Sequence, residues 1–410
     1  NAFNQDKPIS NFVVEQIGGD LLPRPTDATR VATGFHCNAM LDGGVREQAV
    51  LDRVNTTGAV FMGLTLECAQ CHDHKTDPVS QKEYYQLYAF FNGASAVEFD
   101  LSSDELKRQR GELNEQVSQL NQQIIDIDKI ISEQLNQLVT ARLRNSEGLS
   151  EAVVNLLKIP SDNRSKPEVT QLKVYFQNED ASRKALVAKR DEIQKMVPVA
   201  DTSLVFSQDG RATRVFVQGN PRQQGEVVTP KVPSFLPLVE WDQRQREHPN
   251  RADLGRWIVS ASNPLFTRVT ANRFWMRLMG QAIVEPEYDF GIQTSRPTHH
   301  LLLDYLANRL QYEDSIKDLV RMVVQSATYQ QSSNYKYRVS VAPELFVGQQ
   351  RLRLEVELLR DNVLSVSGLL ENKIGGPSVF PPQPDGILNF RATPATWTES
   401  EGAERYRRGM

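Results

Sequence analysis

The tightest constraint on this chain is a pentapeptide. Cys68-Ala69-Gln70-Cys71-His72 puts two thiols three residues apart with an imidazole directly behind them. Thiols at that spacing can form thioethers to the two vinyl groups of one porphyrin, and the following His then lies under the iron as proximal ligand. The residues therefore predict one covalent haem c on Cys68, Cys71 and His72. Other readings stay open. Cys-x-x-Cys with His72 or His74 could hold zinc, although the usual second ligand pair is missing nearby, His36 and Cys37 lying well upstream. A redox dithiol or a purely structural pair are the blander choices. With only three cysteines there is no disulfide framework.

The flanks suit a cofactor. Residues 56–66, Thr-Thr-Gly-Ala-Val-Phe-Met-Gly-Leu-Thr-Leu, are small and apolar enough to lie against a flat ring. After the motif, Asp77-Pro78 stops the loop and Ser80-x-x-Glu83 reads as a capping box opening a helix over 81–92. That helix carries Tyr84, Tyr85, Tyr88, Phe90 and Phe91, as either plain core or a cofactor wall. For the far side of the iron the candidates are His36, the first choice, then Met62 and Met40.

These residues resemble a known family. Val31-Ala32-Thr33-Gly34-Phe35-His36, Asp52-Arg53-Val54-Asn55-Thr56-Thr57-Gly58, Cys68 to Lys75 and Asp77-Pro78-x-Ser80-Gln81 are similar to the planctomycete cytochrome c domain of the DUF1549 type. Its usual companion, the PSD1 or DUF1553 domain, is resembled by Arg251-Ala252-Asp253-Leu254-Gly255-Arg256-Trp257, Arg268-Val269-x-x-Asn272-Arg273-x-Trp275, Asp289-Phe290-Gly291, Ser326-Ala327-Thr328-Tyr329 and Gly375-Gly376-Pro377-Ser378. The resemblance implies an exported protein with Cys68, Cys71 and His72 as haem-attachment residues, and it brings no established reaction. Cys37 departs from the pattern, which usually has Arg there. Both ends of the chain read as cuts through a longer protein, and no signal peptide is present in it.

The predicted fold class is mainly α. Residues 1–98 form a c-type haem domain of short helices and loops, 99–200 a long helical hairpin, 201–245 a short β-rich bridge, and 246–410 a second helical domain. In the hairpin, apolar residues at 106, 113, 117, 120, 124, 127, 131 and 138 alternate in threes and fours, with Arg110 and Gln134 interrupting the seam. A second stripe, Leu172, Phe176, Leu186, Ile193 and Val197, predicts an antiparallel partner over 168–196. The segment 102–197 is then either a spacer or a docking arm for a protein partner. Strands are predicted at 204–206 and 214–217. Arg268, Asn272 and Trp275 share one helical face, as a hydrogen-bond network between helices or as a cleft lining.

A net charge of −4 gives no footprint for nucleic acid, and no apolar run is long enough to span a membrane as a helix. Gly-x-Ser-x-Gly, phosphate-cradling Gly-rich loops and His-Glu-x-x-His are absent from the sequence. The leading functional reading is electron transfer with an unspecified redox partner in the periplasm or another extracytoplasmic compartment. The alternatives are a haem enzyme, a peroxidase or dehydrogenase subunit with its substrate site in the second domain, and a scaffold or zinc-binding protein.

Overall fold

The computed structural model describes residues 2–38, 46–237, 248–334, 342–373, 375–376, 378–384, 386 and 396–409. Helices begin where the sequence supplies caps. Pro8 precedes α1 (Ile9–Gly18), and reciprocal Thr26–Thr29 bonds open α2 (Asp27–Ala32). The short α3 (Gly34–Cys37) and α4 (Arg46–Thr57) follow, and α4 runs on into a π-type turn, Gly58–Met62. Gly63, at φ +60°, ends that turn in the left-handed region, which glycine enters without steric cost. The predicted capping box is formed: Ser80 and Glu83 cap α5 (Gln81–Asn92), whose Tyr84, Tyr85, Leu87, Tyr88, Phe90 and Phe91 are all buried.

Backbone contacts divide the chain into two units, Asn1–Val97 with Val205–Met410, and Glu98–Leu204. The first unit joins both ends of the sequence around one apolar core. After β1 (Ala94–Asp100) the chain enters the second unit, which is helical: α6 (Asp104–Glu133), α7 (Leu135–Arg144), α8 (Glu151–Leu157), α9 (Lys166–Glu179) and α10 (Ala181–Met196). α6 and α10 run antiparallel. Arg110 Nε donates to the Pro198 carbonyl at 3.2 Å at one end, and Arg183 Nε meets Asp128 at 2.7 Å further along. The buried seam begins only at Val117, Leu106 being left 41% exposed. The predicted second helix is broken at Asp180, whose carboxylate accepts from Arg183 N at 2.7 Å and caps α10. Ile131, Leu135, Val139, Leu157, Leu172 and Phe176 form the unit's small core.

The strands expected around 204–217 exist, but not as one bridging sheet. β2 (Thr202–Gln208) pairs with β1, whereas β3 (Thr213–Phe216) and β4 (Gln224–Val228) pair antiparallel with each other. β3 lies on α5, with Phe216 against Tyr85 and Tyr88 at 4.9 and 5.6 Å between ring centroids. It therefore walls the first unit.

α11 (Arg251–Ile258), α12 (Leu265–Met279), α13 (His300–Glu313), α14 (Ile316–Val324) and α15 (Val356–Val366) complete the described helices. α11 crosses α1 closely, because a Cβ on Gly18 would lie 2.3 Å from Ala252 N. Arg251, fully buried there, donates to the Ile17 carbonyl at 2.8 Å and forks onto Asp20 at 3.0 and 2.7 Å. The Arg251–Trp257 run is thus an internal interface. Asn272 is a network residue: Oδ1 accepts from Ile283 and Val284 N, and Nδ2 donates to the Val284 carbonyl. Arg268 is paired with Asp304 at 2.7 Å, and Trp275 packs edge-on against Phe346. Among the described residues no helix is long and apolar enough to cross a membrane.

Candidate functional site

The Cys/His motif lies in the loop between Gly63 and α5. Leu64, Leu66 and Ala69 are buried and pin its first half to the core. Glu67–Gln70 form one 3₁₀ turn, closed by Ala69 N to Leu66 O at 2.9 Å and Cys71 N to Cys68 O at 3.4 Å. Positions i and i+3 of such a turn eclipse, so with Ala69 directed inward the thiols of Cys68 and Cys71 share the outer side. Both cysteines are free and exposed. Cys71 Sγ rests on Gly219, where an added Cβ would come within 2.5 Å of the sulfur. Only glycine leaves that space beside the thiol.

His72 is exposed, and its Nδ1 lies 2.6 Å from the Asp73 carbonyl. A carbonyl only accepts, so Nδ1 carries the proton and Nε2 keeps its lone pair. That is the tautomer of an imidazole ready to bind a metal through Nε2. His74 behaves oppositely. Its ring is buried, turns inward and accepts the Asp77 N–H on Nδ1 at 2.9 Å.

The rest of the loop is tied to α5. The Gln70 carbonyl accepts from Tyr85 Oη at 3.1 Å and Gln81 Nε2 at 2.9 Å, and Asp73 Oδ1 accepts from Gln81 N at 2.8 Å. Burial, with Cys71 as a secondary influence, raises the Tyr85 phenol well above its usual value, so it stays a proton donor to Gln70. A cleft of about 170 Å³ opens beside Cys68, lined also by Thr65, His74, Lys75, Asp77, Asp289 and Gln293.

The other predicted iron ligands lie elsewhere. His36 is 2% exposed and enclosed by Phe35, Phe91 and Phe206 at 4.8, 5.1 and 6.2 Å between centroids, with its carbonyl held by Arg53 Nε at 3.1 Å. Burial first, then Arg251 and Arg53, push its pKa down to about 3. Its Nε2 is buried without a partner. Phe91 follows Tyr85 by six residues on α5, so the two ends of this helix touch His36 and the motif roughly 9 Å apart along its axis. Met62 is wholly buried in the main core, and Met40 lies outside the described residues. The structure thus brings Cys68, Cys71 and His72 together on one exposed turn and keeps His36 and Met62 in the interior.

Sequence reasoning missed the residues that fix this loop from the far end of the chain. Arg273 Nη2 donates to the Ala59 carbonyl at 2.7 Å and Nη1 to that of Val60, Phe290 N donates to the Gly63 carbonyl at 2.6 Å, and Ile292 N donates to Asp77 Oδ1 at 2.8 Å. The only sequence signal was that Arg273 and Asp289-Phe290-Gly291 fall in stretches resembling a family; no spacing links them to the motif.

Comparison with known proteins gives the two halves separately. Residues 1–96 match the family model PSCyt2, described as a protein of unknown function (DUF1549) and by its name cytochrome-related. Residues 250–410 match the model PSD1, described as a protein of unknown function (DUF1553). No curated protein and no solved structure matches the chain. The order of the two matches is that of a DUF1549 domain followed by a DUF1553 domain.

Proposed function

We propose that the chain is a c-type cytochrome of an extracytoplasmic compartment, with one haem c on Cys68, Cys71 and His72, and that it passes single electrons to a redox partner. The observation that carries this reading is the exposed turn itself. Two free thiols are exposed there, three residues apart, and the imidazole behind them has Nδ1 bonded to the Asp73 carbonyl. Gly219, having no side chain, lets the Cys71 sulfur pack against its backbone. In this reading Cys68 and Cys71 hold the porphyrin and His72 Nε2 ligates its iron. Asp73 fixes the ring of His72, while Tyr85 and Gln81 hold the turn. A bound haem supplies reversible one-electron chemistry, at a potential set by its ligands and its exposure. His36 and Met62, the other candidates for binding the iron, are buried and would have to leave the core to do so.

A haem enzyme is the second reading. It is favoured by the cleft beside Cys68, which residues of both halves line. Zinc is the third reading, for which the two thiols speak. Among the described residues, however, no three His, Cys, Asp or Glu side chains converge as they would on a bare ion.

Absorption spectra of protein matured in an export-competent host test the proposal. Wild type is expected to show a Soret band and sharpened α and β bands on reduction. Cys68→Ala with Cys71→Ala is expected to lose covalent colour, and His72→Ala to change the ligation. Colourless wild-type protein carrying zinc instead would overturn it. A low-spin spectrum favours electron transfer, and a high-spin one the enzyme reading.

A further inference from the structure

The motif loop is bracketed on both sides by the second family region. The carbonyl of Gly63, five residues before Cys68, accepts from Phe290 N–H at 2.6 Å. A Cβ on Gly63 would meet Phe290 Cδ2 at 2.8 Å and Val269 Cγ2 at 2.9 Å, so these two side chains pack directly on the Gly63 backbone. Asp77, five residues after His72, is 7% exposed, and its Oδ1 accepts from Ile292 N at 2.8 Å. Gly291 lies flat on the same carboxylate, where a Cβ would come within 2.5 and 2.6 Å of its two oxygens.

The turn that makes these contacts is built to keep its shape. Asp289 Oδ1 accepts from Gly291 N at 2.9 Å, and Thr294 Oγ1 returns to the Asp289 carbonyl at 2.8 Å. On the motif side, Asp77 N–H donates to His74 Nδ1 at 2.9 Å, and His74 N donates to the Val79 carbonyl at 2.8 Å. A continuous line of bonds therefore runs from Ile292 through Asp77 to His74, two residues from His72.

We infer that the Asp289-Phe290-Gly291-Ile292 turn, acting through Asp77 and Gly63, is the positioning element that holds the Cys68–His72 loop in its ligand-presenting shape. The DUF1553 region is then a structural part of the cofactor site. The functional meaning of this rests on the cofactor reading above; the geometry does not, so the test runs first on the cofactor-free chain.

Limited trypsin digestion reads the loop directly through cleavage after exposed Lys75, followed by mass spectrometry as the fragment beginning at Thr76. Gly291→Ala drives a methyl into the Asp77 carboxylate, and Ile292→Pro removes the N–H that Asp77 accepts, the Ile292 side chain being exposed. Each is expected to raise cleavage after Lys75 about tenfold or more, with sites in the 98–204 unit unaffected. Asp77→Asn keeps an accepting oxygen and is expected to stay near wild type, whereas Asp77→Leu is expected to behave like Gly291→Ala. Folded variants cleaved at the wild-type rate, or Asp77→Asn and Asp77→Leu behaving alike, would overturn the inference. If a variant does not fold, amide exchange in the wild type decides: Phe290, Ile292, His74 and Val79 amides should open together, and independent opening counts against the latch. In haem-loaded protein, Gly291→Ala should also shift the midpoint potential. A colourless chain that still passes the cleavage test would sink the cofactor reading and leave the latch standing.

Discussion

The interior around Phe206 and the exposed turn at Cys68–His72 use polar chemistry in opposite ways. In the interior, Arg53 and Arg251 stand 4.6 and 4.7 Å from the Phe206 ring centroid, and His36 stacks on the same ring. Nearly every group there is committed: Arg251 to Asp20 and Ile17, Arg53 to the carbonyls of His36 and Ala94, and Thr33 Oγ1 to Phe206 N. On the turn, the backbone is fixed while the reactive atoms, two sulfurs and one imidazole Nε2, are left unengaged. Buried, committed polar groups thus mark the fold in this protein, and exposed ones mark the candidate chemistry. Reading the most unusual histidine as the functional one would reverse that lesson.

Breaking the interior should have the largest effect. Arg251→Met leaves Asp20 as an uncompensated buried carboxylate and is expected to destabilise the chain by about 3–5 kcal/mol in urea unfolding. Adding Asp20→Leu should recover much of that loss. A single variant within about 1 kcal/mol of wild type would show that the pair does not hold α1 to α11.

The next effect is the acid sensitivity of His36. Its folded pKa, about 3, lies below the 6.5 of an ordinary imidazole. Between those values the unfolded chain binds the proton and the folded chain does not. Stability from this group is therefore complete above pH 6.5 and falls as pH drops towards 3, by at most roughly 1.4 kcal/mol per pH unit. His36→Leu should flatten that part of the stability–pH curve. An equal slope in wild type and variant would place the acid sensitivity elsewhere. The same variant also tests ligation: if His36 reaches the iron, His36→Leu turns a low-spin spectrum high-spin, and if it stays in its aromatic enclosure the spectrum is unchanged.

The smallest effect is expected from the helical unit. Excising residues 102–197 behind a short linker should leave the haem spectrum nearly unaltered, because the residues that hold the motif turn come from α5, β3 and the second family region. A lost or displaced Soret band would show that the helices help to build the pocket.

How much of this was legible follows from the range of the interactions. Ser80 and Glu83 lie three residues apart, so the α5 cap could be read directly, and the alternating threes and fours of 106–138 gave the antiparallel pair. The break at Asp180 was missed because the apolar stripe runs through it, while a local cap bond favoured a new helix. In the site, the cysteines and His72 were legible as a contiguous motif. The Asp77–Ile292 bond joins residues 215 positions apart, and the Arg251–Ile17 bond residues 234 apart. No local pattern encodes either. His36 was drawn to the iron by its position in a family-like stretch, and what keeps it inside is a ring of aromatics from α3, α5 and β2 that only the tertiary fold assembles.

The central claim is that Cys68 and Cys71 carry a haem, and the intact mass of the denatured protein tests it most directly. Protein matured in an export-competent host should weigh one haem more than its polypeptide and keep its colour through acid–acetone extraction, with both properties lost in the Cys68→Ala, Cys71→Ala double variant. A wild-type mass equal to the bare polypeptide, with both thiols free to alkylate, would contradict it.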